Sequence, residues 1–564
     1  MATGAEHLLR ALEEAGVEYI FGVPGGGTML VYATSSAHPR LRPILVRHEF
    51  EAAVVADAYA RASGKMAAII GQGPYIGAYA AGGLMEALTS SSPVVAIGDT
   101  SDNGMSPLPT AQVATGEYGS PDLVGILRSV TKYTSLATTP KEAALGIQMA
   151  IKHARAGNPG PAALVVRSAA IAGEVDEDRP PYLHSGTGYL VGTPAKADPD
   201  AVAATLRLLE AARSPVLVAG KGVHNAFAHD VLRRVAEAWA MPVVTTYKGK
   251  SAIDDLHPLA LGMIGTYGRP SANAITSESD VVVVVGARLT SSDTASQRVI
   301  DGRRQKIVHI EIEPRNAGWA VAPDVALIGD AGAVLTQLLD GSPSPTSPRC
   351  DAVADRLRQA RSTDPVLNNQ PATEDSSPVA PPRLIRLLEE YLEPSTNITL
   401  DAGFNRIWMS QFYRVQRSNT FFAPGGMSGM GWALPAALGV KFARPDDPVV
   451  AVTGDGGFMM SIHALASAMD HGLGVVCVVM NDSGLGMVRH HQTTPVASVF
   501  GPTDHAAIGR GFGALGFRIE DSRDVPAAIK EAQASGEPAV IDVIIDRSAT
   551  PDIYRAAARV ETET

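Results

Sequence analysis

Short apolar runs bounded by glycine, proline and small polar residues alternate along most of this chain with longer stretches of helical period. Runs of that kind read as strands buried on both faces of a parallel sheet, and the longer stretches as the helices that cover it. The first such region, residues 5 to 167, predicts helix Ala5–Ala15, strands Tyr19–Val23, Arg42–Val46, Met66–Ile70, Pro93–Ile97 and Ala162–Val166, and an Ala- and Val-rich helix Ala52–Ala62 suited to close packing. A long polar stretch, Gly98–Ser120, reads as an active-site loop. Gly173–Ala195, rich in Pro, Gly and charge, reads as a linker. A second region follows with strands Pro215–Ala219, Pro242–Thr245, Val281–Val285 and Ile307–Ile312, then a second linker, Gly341–Pro382, around a short helix. The third region runs from about Arg383 to Arg547, with a strand at Asn397–Leu400 near its start, and a polar tail ends the chain. The expected fold class is α/β, as three doubly wound α/β domains at 1–172, 196–340 and 383–550.

The third region holds the stretch most informative about chemistry, Pro448–Gln492. A strand at Val449–Val452 leads into Gly454-Asp455-Gly456-Gly457, a turn whose bare backbone N–H groups can approach an anion. A helical pattern from Phe458 to about Asp470 is followed by strand Val475–Met480 and by Asn481-Asp482-Ser483-Gly484. Two strand ends thus bring Asp455 and Asp482 to one edge of a parallel sheet, where such sheets bind ligands. Hard oxygen donors from two loops, with positions left for phosphate oxygens, suit Mg²⁺.

Composition narrows the class. A chain of 564 residues exceeds one ordinary core, and 45% hydrophobic with 19% charged residues is typical of globular domains. The net charge of −11, without a basic run, argues against nucleic acid as a partner. Cys350 and Cys477 lie too far apart in sequence to suggest a disulfide framework or a zinc site. The first residues read as an amphipathic helix and no apolar run reaches membrane-spanning length, so a cytoplasmic enzyme without a membrane partner is expected.

Gly-Asp-Gly, a spacer to Met480, then Asn-Asp resembles the diphosphate-binding motif of thiamine-diphosphate (ThDP) enzymes. Further segments make the chain similar to the acetolactate synthase branch: Phe21–Gly26, Arg47-His48-Glu49, Leu261–Gly265, Gly426–Pro435 and Leu485–Val488. The resemblance spans nearly the whole chain and implies pyrimidine-binding, central Rossmann-like and diphosphate-binding domains. It also implies ThDP and Mg²⁺ as cofactors, with Asp455, Asp482 and the Gly484 carbonyl as metal ligands. Glu49 would be the carboxyl that activates the aminopyrimidine of the cofactor, by sharing a proton with its ring. Met430 would prop the cofactor in its bent shape. Gly25, Gly403, Asn405, Ser428, Gly454, Gly456, Gly457, Leu485, Gly486 and Met487 would complete the cofactor's surroundings. In the family the Glu-bearing domain of one subunit faces the diphosphate domain of another, so a homodimer or homotetramer with sites between subunits is implied.

Some positions depart from the branch. Tyr75 enters Gly73–Ala78 where acetolactate synthases have Gly-Pro-Gly-x-x-Asn, Tyr118-Gly119 replaces a Phe-Gln pair, and His491 replaces a frequent Trp. Asp482 stands where many members have a second Asn. With Gln112, Arg489 and His490, the residues Tyr75 and His491 are candidates for the substrate pocket, where cationic or titratable groups suit a carboxylate. The central region has Arg288–Asp293 (RLTSSD) in place of the Arg-Phe-Asp-Asp-Arg segment associated with a non-catalytic FAD, so FAD is left open and not predicted. The reading is therefore a ThDP- and Mg²⁺-dependent carboligase that decarboxylates a 2-oxo acid such as pyruvate and transfers the enamine to a carbonyl acceptor. The alternative is a ThDP-dependent decarboxylase or C–C lyase on another 2-oxo acid.

Overall fold

The computed structural model describes residues 1–102, 111–343, 347–368 and 372–551, without the side chains of 347–349. Part of the Gly98–Ser120 loop, part of the second linker and the polar tail lie outside the described residues. Three six-stranded sheets, each wholly parallel, form the framework. The first contains β1 (Tyr19–Gly22), β2 (Arg42–Leu45), β3 (Ala67–Gly71), β4 (Val94–Asp99), β5 (Tyr133–Ala137) and β6 (Ala162–Val166), ordered β2-β1-β3-β4-β6-β5. The second contains β7 (Val216–Ala219), β8 (Val243–Thr245), β9 (Ala260–Met263), β10 (Val281–Val285), β11 (Lys306–Glu311) and β12 (Val325–Ile328), ordered β12-β11-β10-β7-β8-β9. The third contains β13 (Asn397–Leu400), β14 (Phe421–Phe422), β15 (Val449–Gly454), β16 (Val475–Asn481), β17 (Leu515–Ile519) and β18 (Ala539–Ile544), ordered β14-β13-β15-β16-β18-β17. Interior strands such as β3, β6, β10 and β16 are buried along their whole length, which is why they read as unbroken apolar runs.

The chain divides into two compact units. One comprises Met1–Gly192, Pro424–Asp446 and Met460–Leu473; the other comprises Thr193–Ala423, Asp447–Met459 and the chain from Gly474 onward. The first unit holds the first sheet and draws in two late helices, Ala433–Ala443 and His463–Asp470. Helix Ala433–Ala443 lies against helix Glu49–Ser63 so closely that a Cβ on Gly439 would come within 2.3 Å of the Val55 carbonyl. Alanines and glycine on both helices permit that approach. The second unit holds the second and third sheets.

Several sequence expectations change. Helix Glu49–Ser63 starts three residues before the expected Ala52, because His48 caps it: its ring Nδ1 accepts the Phe50 N–H at 3.1 Å. Glu49 is therefore the first residue of the helix. Gly454–Gly457 is no free turn, since Asp455 opens helix Asp455–Ser461, and the pattern to Asp470 is two helices rather than one. The helix in the second linker, Ser347–Ser362, has 16 residues and is not short. Among the described residues no helix is long and apolar enough to cross a membrane.

Candidate functional site

In a doubly wound sheet, ligands bind beyond the carboxyl ends of the strands where the order reverses. In the third sheet that point lies between β13 and β15. The chain beyond β13 supplies Asp401 to Asn405, β15 ends at Gly454, and β16 delivers Asn481 and Asp482. The arrangement brings the predicted Asp455 and Asp482 together. Asp455 is buried; its Oδ2 accepts the Gly484 N–H at 2.8 Å and its Oδ1 the Gly456 N–H at 2.9 Å. Burial, and then the negative charge of Asp482, push the Asp455 pKa up to about 6 against those two N–H groups. Burial also raises the Asp482 pKa, and the Arg489 guanidinium opposes it from 2.5 Å.

A cation beside these two carboxylates would ease their mutual repulsion, which the Arg489 guanidinium already offsets in part. Among the described residues no three or more His, Cys, Asp or Glu side chains gather into a metal site. A metal here would thus have two carboxylates and otherwise main-chain or ligand oxygens, which is how Mg²⁺ is commonly held beside phosphates. The surroundings leave room for such a ligand. Gly454 has nothing within 4 Å of where a Cβ would project. Gly403, at φ +110, precedes helix Phe404–Phe412 in a conformation suited to glycine. Gly457 is closed instead: a Cβ there would meet Asp401 Oδ1 at 2.7 Å. Asn405 turns its amide inward and donates to the Val452 carbonyl at 3.3 Å.

The loop after β16 is held by a buried cluster that sequence reading did not pick out. Asn481 Nδ2 donates to Asp542 at 2.9 Å and lies 3.1 Å from His505 Nδ1. Its Oδ1 accepts the Ser483 N–H at 3.1 Å, so Asn481 shapes the turn that carries Asp482 and Gly484. Leu485 then donates its N–H to the Ser498 carbonyl, and helix Gly486–His490 contains Met487 and Arg489. Arg489, a candidate for the substrate, gives Nη2 to Asp482 and to the Arg547 carbonyl, while its buried Nη1 has no hydrogen-bond partner among the described residues. His490 packs edge-on to Phe404 and to His491.

At the corresponding edge of the first sheet, the order reverses between β1 and β3. Glu49 is buried at 7% exposure, and its carboxylate accepts no hydrogen bond among the described residues. Two residues on, Glu51 is fully buried: its Oε2 accepts the Arg47 N–H at 3.0 Å and its Oε1 has no partner. Burial pushes the Glu51 pKa up to about 7, and burial likewise pulls His463, 3.8 Å away, down to about 4. Gly25 sits against Gln72, and a chain of amides runs from Gln72 to Gln112 at 3.0 Å and from Gln112 to the Tyr75 hydroxyl at 2.7 Å. Asp99, at the end of β4, accepts N–H groups of Gly27, Gly73 and Ser101 and so ties three loops together. An acid closing an apolar run was the available sign of it. Tyr118 is exposed, and Gly119 is in open surroundings.

Ser428 adopts φ +53; its N–H donates to Glu86 at 2.9 Å and its hydroxyl to the Pro424 carbonyl at 3.1 Å. Met430 follows, half-buried, before Gly431 at φ +83.

Comparison with known proteins agrees with this geometry. Residues 2–117, 202–338 and 401–543 match, in turn, the N-terminal TPP binding domain, the central domain and the C-terminal TPP binding domain of thiamine pyrophosphate enzymes. A probable acetolactate synthase large subunit of Methanocaldococcus jannaschii is 31% identical over 96% of this chain and 92% of its own length. Its counterpart in Methanococcus aeolicus is 30% identical over 99% and 94%. An acetolactate synthase of Mycobacterium bovis is 31% identical over 97% and 88%.

Proposed function

This chain belongs to the thiamine pyrophosphate enzyme family, and we propose that it is a Mg²⁺-dependent carboligase of the acetolactate synthase kind, taking a 2-oxo acid such as pyruvate as donor. The observation that carries the reading is the pair of the buried Asp455 and the half-buried Asp482, brought together beside the reversal point of the third sheet. In this reading Asp455, Asp482 and the Gly484 carbonyl hold Mg²⁺. Gly403, Gly454, Gly456 and the 484–487 segment receive the diphosphate, and Asn405 braces β15 beside it. When bound, thiamine diphosphate supplies a nucleophilic carbon and an electron sink. The protein's part is to bind, orient and manage protons. Glu49, buried and without a hydrogen-bond donor of its own, is suited to hold a proton against the pyrimidine ring nitrogen. Met430 and Ser428 would form part of the wall that meets the cofactor, and Gly25, packed on Gln72, would complete its surroundings.

The domains proposed are pyrimidine-binding at 1–172, central at 196–340 and diphosphate-binding at 383–550. The family resemblance further supports a cytoplasmic homodimer or homotetramer in which subunits complete each other's sites. A second reading, decarboxylation or C–C cleavage of another oxo acid, draws on the Tyr75 phenol held by Gln112, since a bulky group there restricts the acceptor. Calorimetric titration of thiamine diphosphate tests the metal site. Binding is expected to require Mg²⁺ and to weaken at least tenfold in Asp455→Asn; equal binding with and without Mg²⁺ would remove the carboxylate pair from the mechanism.

A further inference from the structure

A carboxylate outside the predicted site is bound up with the loop that carries Ser428 and Met430. Glu86, on helix Ala81–Thr89, is 2% exposed. Its Oε1 accepts the Gly425 N–H at 3.0 Å, the Ser90 hydroxyl at 2.7 Å and the Arg61 guanidinium at 3.0 Å. Its Oε2 accepts the Ser428 N–H at 2.9 Å, and Gly426 N–H lies 3.3 Å from both oxygens. Arg61 is itself buried and also bonds both oxygens of Asp57, at 2.8 and 2.7 Å. Its guanidinium stacks on the Trp432 ring at 4.8 Å, and the indole N–H donates to Asp57 at 3.3 Å.

The geometry shows how the loop is drawn in. The main-chain N–H groups of Gly425, Gly426 and Ser428 converge on the buried Glu86 carboxylate, as they do wherever a carboxylate is stabilised by backbone donors. Contact is close enough that a Cβ on Gly426 would overlap the Thr89 hydroxyl. The turn it stabilises is an unfavourable one, with a serine in the left-handed region, and such conformations persist only where the surroundings fix them.

We propose that Glu86 is a positioning residue, which fixes the Gly425–Ser428 turn so that Ser428 and Met430 are presented to thiamine diphosphate. The inference rests on the reading above that these two residues meet the cofactor. Its test uses Glu86→Gln and Glu86→Asp in the full-length protein. The glutamine removes the negative charge of Glu86 and turns an N–H donor toward N–H donors, while Arg61 keeps its bonds to Asp57, so the fold survives.

Amide hydrogen exchange without cofactor is expected to speed up about tenfold or more at 425, 426 and 428 in Glu86→Gln, with the interior strands of the first sheet unchanged. Calorimetry is expected to show thiamine diphosphate with Mg²⁺ binding at least tenfold more weakly, and Glu86→Asp recovering part of the loss. Wild-type affinity in Glu86→Gln would overturn the proposal, as would faster exchange spread evenly over the first sheet, which marks a purely structural role. If the wild-type protein takes up no thiamine diphosphate, the functional reading falls and the cofactor role of Glu86 falls with it. The exchange pattern alone then reports whether Glu86 holds the loop.

Discussion

Glu49 and Glu51 stand two residues apart at the start of one helix and have different surroundings. Glu49 is buried with no hydrogen bond to its carboxylate among the described residues, while Glu51 is fully enclosed beside His463, Arg47 and Ser467. Replacing Glu49 by Gln is expected to lower turnover by two orders of magnitude or more, with the circular dichroism and melting temperature kept, as general acid–base groups commonly show. Unchanged turnover would remove Glu49 from the chemistry. Glu51 governs stability instead. Its pKa is raised from 4.5 to about 7, so between those values the folded protein binds more protons than the unfolded chain. Its contribution to stability therefore falls as pH rises through that window, by roughly 3 kcal/mol in all at the usual conversion. Glu51→Gln is expected to melt higher than wild type at pH 8 and close to it at pH 4.5. A difference in melting temperature that does not change with pH would contradict the assignment. The sequence marked Glu49 through Arg-His-Glu, but His463 beside Glu51 and the 425–428 turn that donates to Glu86 come from chain distant in sequence, which no local pattern reveals.

At the scale of elements, legibility followed a strand's place in its sheet. The strands named from sequence include every interior strand except β18, whose apolar run Ala539–Ile544 is broken by the buried Asp542. The others that were missed, β5, β9, β12, β14 and β17, all lie at sheet edges. Edge strands have one neighbour, so they can keep polar residues, as YTSLA of β5 does, or shorten, as β14 does to two residues. Helix starts were misplaced for a related reason: His48 caps through a ring nitrogen and Asp455 begins its helix directly after a strand, neither of which periodicity encodes. The pairing of helices Glu49–Ser63 and Ala433–Ala443 is the element-level contact most sensitive to size. Gly439→Ala is expected to destabilise the protein by about 1–3 kcal/mol in chemical denaturation, the usual cost of overpacking. A neutral Gly439→Ala would mean that the two helices separate easily.

For the whole molecule, three parallel sheets and the long alignments to acetolactate synthases establish the kind of enzyme, and the carboxylate pair supports where its cofactor is held. The proposed assembly is checked by sedimentation equilibrium, where a mass of two or four chains is expected and a monomer that still turns over would contradict shared sites. In the proposed reaction this protein joins a decarboxylated 2-oxo acid to a second carbonyl. Carbon-13 NMR of purified protein with thiamine diphosphate, Mg²⁺ and labelled pyruvate follows that reaction carbon by carbon. Pyruvate is expected to be consumed and a condensed product, acetolactate, to accumulate; release of acetaldehyde alone, or pyruvate left untouched, would contradict the proposed carboligation.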